Sequence, residues 1–225
     1  WDREHKRDRP IAAGRLSARL AGSLAMAFLL GGLAIATLHG SAAAGYGGAL
    51  VGCVVLYNLR HKRSPLAVIY MAGCRALLYP LAAAVVLSGA AGAEPAFPVW
   101  PASAAVGVYT LLLTLAARRE DRAGARVSAL LAWLVPFPFL AAAMAYPADR
   151  LLWTLFAGAA FFAWCAVSGR HAVRGQIREA VLGWLSGFCL ADAFLLCLVG
   201  RLELAPIAVI AWLATAASHR FISGT

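Results

Sequence analysis

Eight long apolar runs dominate this chain and leave it few folds to choose from. They are Leu20–Leu38, Ala42–Tyr57, Leu66–Leu87, Val99–Ala117, Val127–Tyr146, Leu151–Ser168, Ala180–Val199 and Leu204–Ala217. A helical span needs roughly 20 apolar residues, so a chain of 225 residues has room for about eight spans with short loops. A membrane β-barrel would show short alternating segments instead. Hydrophobic residues make up 62% of the chain and charged residues 13%, with a mean hydropathy of +0.76. A soluble globule of this size cannot hide so much apolar surface, and the same figures exclude disorder. The expected fold is all-α: a polytopic transmembrane helical bundle forming a single integral membrane domain over residues 1–225. Residues 1–19 form a polar loop and a helix start, and residues 20–222 form the bundle. The second and last runs are short and leave little room for tilt. Pro80, Pro136 and Pro138 fall inside runs, where each removes a backbone donor and can kink its helix.

The net charge is +10. Basic excess can signal nucleic-acid binding, but here the cations sit between apolar runs, and membrane topology explains them without a nucleic-acid partner. One set of loops holds Arg3, Lys6, Arg7, Arg9, Arg15, Arg19, Arg60, Lys62, Arg63, Arg118, Arg119, Arg122, Arg126, Arg170, Arg174, Arg178 and Arg220. The opposite set holds Arg150 and Arg201, and Arg75 lies within a run. A bias of 17 to 2 puts the basic side in the cytoplasm, and an odd miscount of spans would scramble it. The chain opens at Trp1 with a charged segment unlike a signal peptide, so further sequence is expected before it. All five cysteines fall in apolar runs, and none forms a CxxC pair. They read as buried thiols. The five histidines are scattered, without metal-ligand spacing. Several tryptophans near span ends read as interface anchors.

Three polar clusters project from the basic side. The first is Asp2 to Pro10 followed by Ile11-Ala12-Ala13-Gly14; the second is Tyr57-Asn58-Leu59-Arg60-His61-Lys62-Arg63; the third is Ala117-Arg118-Arg119-Glu120-Asp121-Arg122. Carboxylates at a membrane surface suit Mg²⁺, which takes one or two of them and then phosphate oxygens of a substrate. Arginine suits a pyrophosphate by bidentate pairing and lysine as a point charge. The bland reading is a set of topology-setting loops with a few mixed charges.

The order of the clusters resembles the UbiA-like superfamily of intramembrane prenyltransferases. That family shows an NDxxDxxxD motif, a basic stretch, and RPxxxG opening the next helix. Arg9-Pro10-Ile11-Ala12-Ala13-Gly14-Arg15-Leu16-Ser17 resembles the RPxxxGxxS element. Asp2 stands where an acid of the first motif belongs. Tyr57, Lys62 and Arg63 resemble the family's Tyr followed by Lys-Arg two spans later, and Glu120 and Asp121 stand at its second aspartate motif. Met71-Ala72-Gly73-Cys74-Arg75 and Leu113 to Glu120 are similar to the MGxCR and LTxxARxE stretches of a divergent, EboC-like branch. The Asn-Asp of the first motif is absent from this sequence, and the second motif is reduced to two adjacent acids.

The resemblance implies a UbiA-type bundle, here lacking its first two helices, that transfers a prenyl group from a prenyl diphosphate to a small acceptor. It implies Mg²⁺ held by Asp2, Glu120 and Asp121, and diphosphate held by Arg9, Lys62, Arg63 and Arg119. Asp2, Tyr57, Asn58 and Arg75 are the expected catalytic residues. The alternative is a non-catalytic, isoprenoid-lipid-binding or transport-associated membrane protein, which the reduced acids favour. Beside the substrates the partner is the lipid bilayer, and the expected location is a bacterial inner membrane. Arg75 lies deep in its run, where an ionisable group is costly and often functional. Asp192 lies deep in another and is read as structural, with pairing to Arg75, substrate contact or protonation left open. The charge bias makes one expectation measurable. Single cysteines placed in residues 60–63 and 89–96 should label from opposite sides of the membrane; labelling from one side would sink the topology.

Overall fold

The structure, a computed structural model, describes residues 10, 11, 13–60, 64–88, 98–120, 126–146 and 151–219. Among these residues there are ten helices and no strand. In chain order they are α1 (Ala18–Leu38), α2 (Ser41–Arg60), α3 (Ala67–Ala76), α4 (Leu78–Leu87), α5 (Val99–Ala117), α6 (Ala129–Leu134), α7 (Pro138–Ala143), α8 (Leu151–Val173), α9 (Ile177–Leu198) and α10 (Ala205–Ser218). Every apolar run has become helical. Six stretches are long and apolar enough to cross a membrane, counting α3 and α4 together as Ala67–Leu87. Ala129–Ala143 and Ala205–Ser218 are shorter apolar helical segments in the fifth and eighth positions. The second run is longer than its apolar core implies, because the helix continues through Asn58 to Arg60.

Prolines explain the breaks. Pro80 has no amide hydrogen to give the carbonyl four residues back, and its ring crowds that carbonyl. The residue four back is Ala76, where α3 ends. The released Ala76 carbonyl accepts a hydrogen bond from Ser103 Oγ of α5 at 2.8 Å. A lipid-embedded carbonyl has no water to turn to, so a neighbouring helix supplies the donor. Pro136 and Pro138 act likewise: α6 stops at Leu134, and Pro138 takes the first position of α7, where a missing amide costs nothing.

Helices α5 and α9 carry most of the buried side chains. Helix α9 runs against α8 on one side and α10 on the other, while α5 packs on α3, α4 and α7 and touches α9. Tyr109 of α5 is fully buried at that junction. Its hydroxyl donates to the Trp184 carbonyl of α9 at 2.6 Å. Its ring meets Phe188 and Phe139 edge-on, with centroids 4.9 and 5.6 Å apart, a favoured aromatic geometry. A Cβ on Gly187 would lie 2.9 Å from the Tyr109 hydroxyl oxygen, so the two helices approach this closely because position 187 has no side chain. By contrast α1 buries only Ala36 and α10 buries nothing. Their outer faces, such as Phe28 at 78% exposure, fit contact with lipid rather than water.

The Pro80–Ser103 arrangement has a measurable consequence. Ser103→Ala should lower stability in detergent by about 1 kcal/mol, the scale of an interhelical hydrogen bond. Pro80→Ala restores an amide donor to the Ala76 carbonyl, so the loss from Ser103→Ala should shrink in that background. A double-mutant cycle by denaturant titration checks it; equal losses in both backgrounds would disprove the coupling.

Candidate functional site

Polar chemistry gathers at one end of the bundle. Before α1, the Gly14 amide donates to the Ile11 carbonyl at 3.2 Å and the Leu16 amide to the Pro10 carbonyl at 3.1 Å. Gly14 sits at φ +74°, which favours a residue without a Cβ. Ser17 then caps α1, its Oγ accepting the Leu20 amide at 3.1 Å. The proline, glycine and serine of the RPxxxGxxS element therefore build the turn and cap that lead the chain into the membrane. Asp2 and Arg9 lie outside the described residues.

The second and third clusters are tied together. Arg118, at the end of α5, donates from Nη2 to the Ser64 carbonyl at 2.7 Å and from Nη1 to the Pro65 carbonyl at 3.2 Å. That fork holds Ser64 and Pro65, just before α3, against the end of α5. Tyr57 is half-buried and Asn58 exposed on the last turn of α2; the Asn58 amide donates to the Val54 carbonyl at 2.8 Å. Lys62, Arg63 and Asp121 lie outside the described residues. Arg119 is exposed and donates to the Arg126 carbonyl at 3.2 Å. Short connections make successive spans antiparallel, so the α8–α9 connection, with Arg170, Arg174 and Arg178, belongs to the same end.

Of the three acids expected to hold metal, Glu120 is described. It is exposed at this end, and no described residue gives its carboxylate a hydrogen bond or ion pair. Among the described residues no three His, Cys, Asp or Glu side chains come together. Glu120 supplies the hard oxygen that Mg²⁺ prefers, at the end where the cations collect.

A second polar group lies inside the bundle. Arg75 and Tyr79 are one turn apart on the α3–α4 stretch; Phe188 and Asp192 are one turn apart on α9. The Arg75 guanidinium carbon stands 5.1 Å from the centre of the Phe188 ring, within cation–π range. The Tyr79 hydroxyl donates to Asp192. Asp192 thus takes its hydrogen bond from Tyr79, while Arg75 faces an aromatic ring. Arg75 and Asp192 stand out in the sequence as ionisable groups within apolar runs, whereas a tyrosine there is ordinary; the four-residue spacing of Tyr79 from Arg75 is the signal that marks it. The tryptophans also divide. Trp100, Trp133 and Trp153 are exposed and keep the anchoring role open. Trp184 is fully buried, and Trp164 Nε1 donates to the Gly183 carbonyl at 2.7 Å; both are packing residues of the α8–α9 pair.

Fold and site together define a polytopic helical membrane protein with most of its described charged side chains at one end and a small polar group in its interior. The chain belongs to the UbiA prenyltransferase family, whose profile matches residues 1–128. The match takes in α1 to α5 and all three polar clusters, and stops before α6. No curated protein and no solved structure matches the chain.

Arg118 generates a prediction of its own. Charge-assisted hydrogen bonds are about twice as strong as neutral ones, so Arg118→Ala should loosen the α2–α3 connection. Tryptic cleavage after Arg60, measured in detergent, should become several-fold faster, whereas Arg119→Ala should leave it unchanged. An unchanged rate in Arg118→Ala would show that the fork does not restrain the loop.

Proposed function

We propose that this chain is an intramembrane prenyltransferase, moving a prenyl group from a prenyl diphosphate to a small acceptor, in the manner of the EboC-like branch. The observation that carries the reading is the Arg118 fork, which joins the loop of the second polar cluster to the start of the third. Diphosphate is doubly anionic or more, so it needs several cations converging on it. In this proposal Arg9, Lys62, Arg63 and Arg119 supply them. Asp2, Glu120 and Asp121 would hold Mg²⁺, whose charge offsets that of the departing diphosphate.

The chemistry asks little else of the protein. The bond between the prenyl C1 and the diphosphate oxygen breaks, the electron pair leaves with the diphosphate, and the acceptor's nucleophile bonds to C1 and loses a proton. The apolar helices keep water from intercepting the allylic cation. Tyr57 and Asn58 line the site from the end of α2. Arg75 lies about 12 Å deeper along α3 at 1.5 Å per residue, where its guanidinium would attract an anionic or carbonyl-bearing acceptor.

Lys62 and Arg63 decide the proposal. If they only set topology, Lys62→Arg is neutral. If Lys62 is a point charge in a shaped site, that swap weakens binding. A charge-assisted bond contributes about 1.5–3 kcal/mol, so Lys62→Ala and Arg63→Ala should each weaken Mg²⁺-dependent prenyl diphosphate binding about 10- to 100-fold. Arg174→Ala, in a connection that matches no family motif, is the control. Binding equal to the parent in all three alanine variants would overturn the site assignment. Cation-dependent binding with no transfer to any acceptor would favour the alternative, an isoprenoid-lipid-binding protein.

A further inference from the structure

A cavity of about 570 Å³ opens at the end of the bundle away from the basic loops. That volume lies within the range of roughly 300–1,000 Å³ typical of small-molecule sites. Its walls are apolar: Val99 and Ala102 of α5, Leu195 and Val199 of α9, Ile207 and Ala208 of α10. At its inner limit stand Tyr79 and Asp192. Tyr146 also lines it, but its hydroxyl is already engaged, donating to the Pro98 carbonyl at 2.7 Å.

Among the described residues Asp192 is the one acid in this wall. Its side chain accepts from Tyr79 and has no ion pair with a described residue. A carboxylate offers about four acceptor positions, and the residue is exposed toward the open space. The occupant must meet that acceptor capacity. A plain hydrocarbon would leave it unmet in a low-dielectric site, which is costly. An anion would be repelled by the acid. A cation is disfavoured by the Arg75 guanidinium, which lies over the Phe188 ring, one turn of α9 from Asp192. A neutral apolar molecule with a single hydroxyl satisfies all three conditions.

The geometry points to a binding site for an apolar alcohol or phenol, its body between α5, α9 and α10 and its hydroxyl donating to Asp192. Nothing in this depends on diphosphate binding. Asp192 lies fifteen residues along α9 from Ile177, about 22 Å from the basic end at 1.5 Å per residue. A hydroxyl held there is too far away to attack a carbon whose diphosphate sits at the basic loops. This is therefore a second site, separate from the proposed one.

The test is competition against a photoreactive farnesol analogue on the whole chain in lipid nanodiscs, with crosslinks mapped by mass spectrometry. Farnesol should displace the probe at concentrations at least tenfold lower than farnesyl methyl ether, although the ether partitions more strongly into lipid. Crosslinks should fall on α9 and α10. Asp192→Leu should abolish the preference for the alcohol, and Asp192→Asn, which keeps an acceptor oxygen, should retain most of it. Ala208→Trp fills the cavity without touching the acid and should block labelling, so the proposal stays testable if Asp192→Leu does not fold. Lys62→Ala should leave the preference intact, which separates failure here from failure at the diphosphate site. Equal competition by alcohol and ether, a preference that survives Asp192→Leu, or labelling that survives Ala208→Trp would each overturn the inference.

Discussion

Hydrocarbon offers no hydrogen bonds, so every polar atom placed within it must find its partner in the protein. That constraint governs the centre of this bundle. Pro80 releases the Ala76 carbonyl, and Ser103 answers it. Tyr109 brings a hydroxyl to the middle of α5, and the Trp184 carbonyl accepts its proton. Trp184 in turn donates through Nε1 to the Cys165 carbonyl of α8 at 3.3 Å. These bonds cross between helices, so they do more than satisfy atoms: they fix which face of α5 meets α9 and which face of α9 meets α8. The contacts cannot slide along the helix axis without orphaning a polar group.

The same rule sorts the charged residues by position. Guanidinium groups at the end of the bundle reach backbone carbonyls of the connections that lead into the next helices. Arg118 meets Ser64 and Pro65, and Arg119 meets Arg126. They stay near water and keep charge to offer an anion. The interior group has no such freedom. Arg75 rests on an aromatic face and Asp192 takes a phenol proton. Arg75 and Tyr79 reach from the α3–α4 stretch to Phe188 and Asp192 of α9. An interior with a polar wall and open volume is where a membrane-embedded ligand can be recognised by more than its greasiness.

The family relationship fits this division. The matched residues, 1–128, include the turn and cap before α1, the α2–α3 connection and the end of α5, which is the whole of the basic-end constellation on the first half of the chain. The interior pair straddles the limit of the match: Tyr79 falls within it and Asp192 beyond it. The matched stretch thus holds the basic-end clusters of α1 to α5 and also Tyr79, Val99 and Ala102 of the cavity wall, while the cavity residues of α9 and α10 lie beyond it.

Much of the fold was legible in the sequence because a bilayer reduces folding to a one-dimensional question. A run of apolar residues has to become a helix, since no other conformation satisfies its backbone from within. Val99–Ala117 reads the same in sequence and structure, and the other runs differ by a few residues at their ends. Prolines announced their kinks for the same local reason. The three polar clusters and their order were legible too, because they interrupt the apolar runs. What sequence could not decide was lateral: which helix faces which, and how deep the side chains of distant runs meet. Nothing in the run from Leu66 to Leu87 says that Tyr79 will find Asp192 of a run a hundred residues later, or that Trp184 will be core while Trp153 stays exposed. Helices with apolar side chains all round carry no strong preferred face, so their rotation is set by close packing at Gly187 and by interhelical hydrogen bonds such as Tyr109 to Trp184, and those exist only once the bundle has closed.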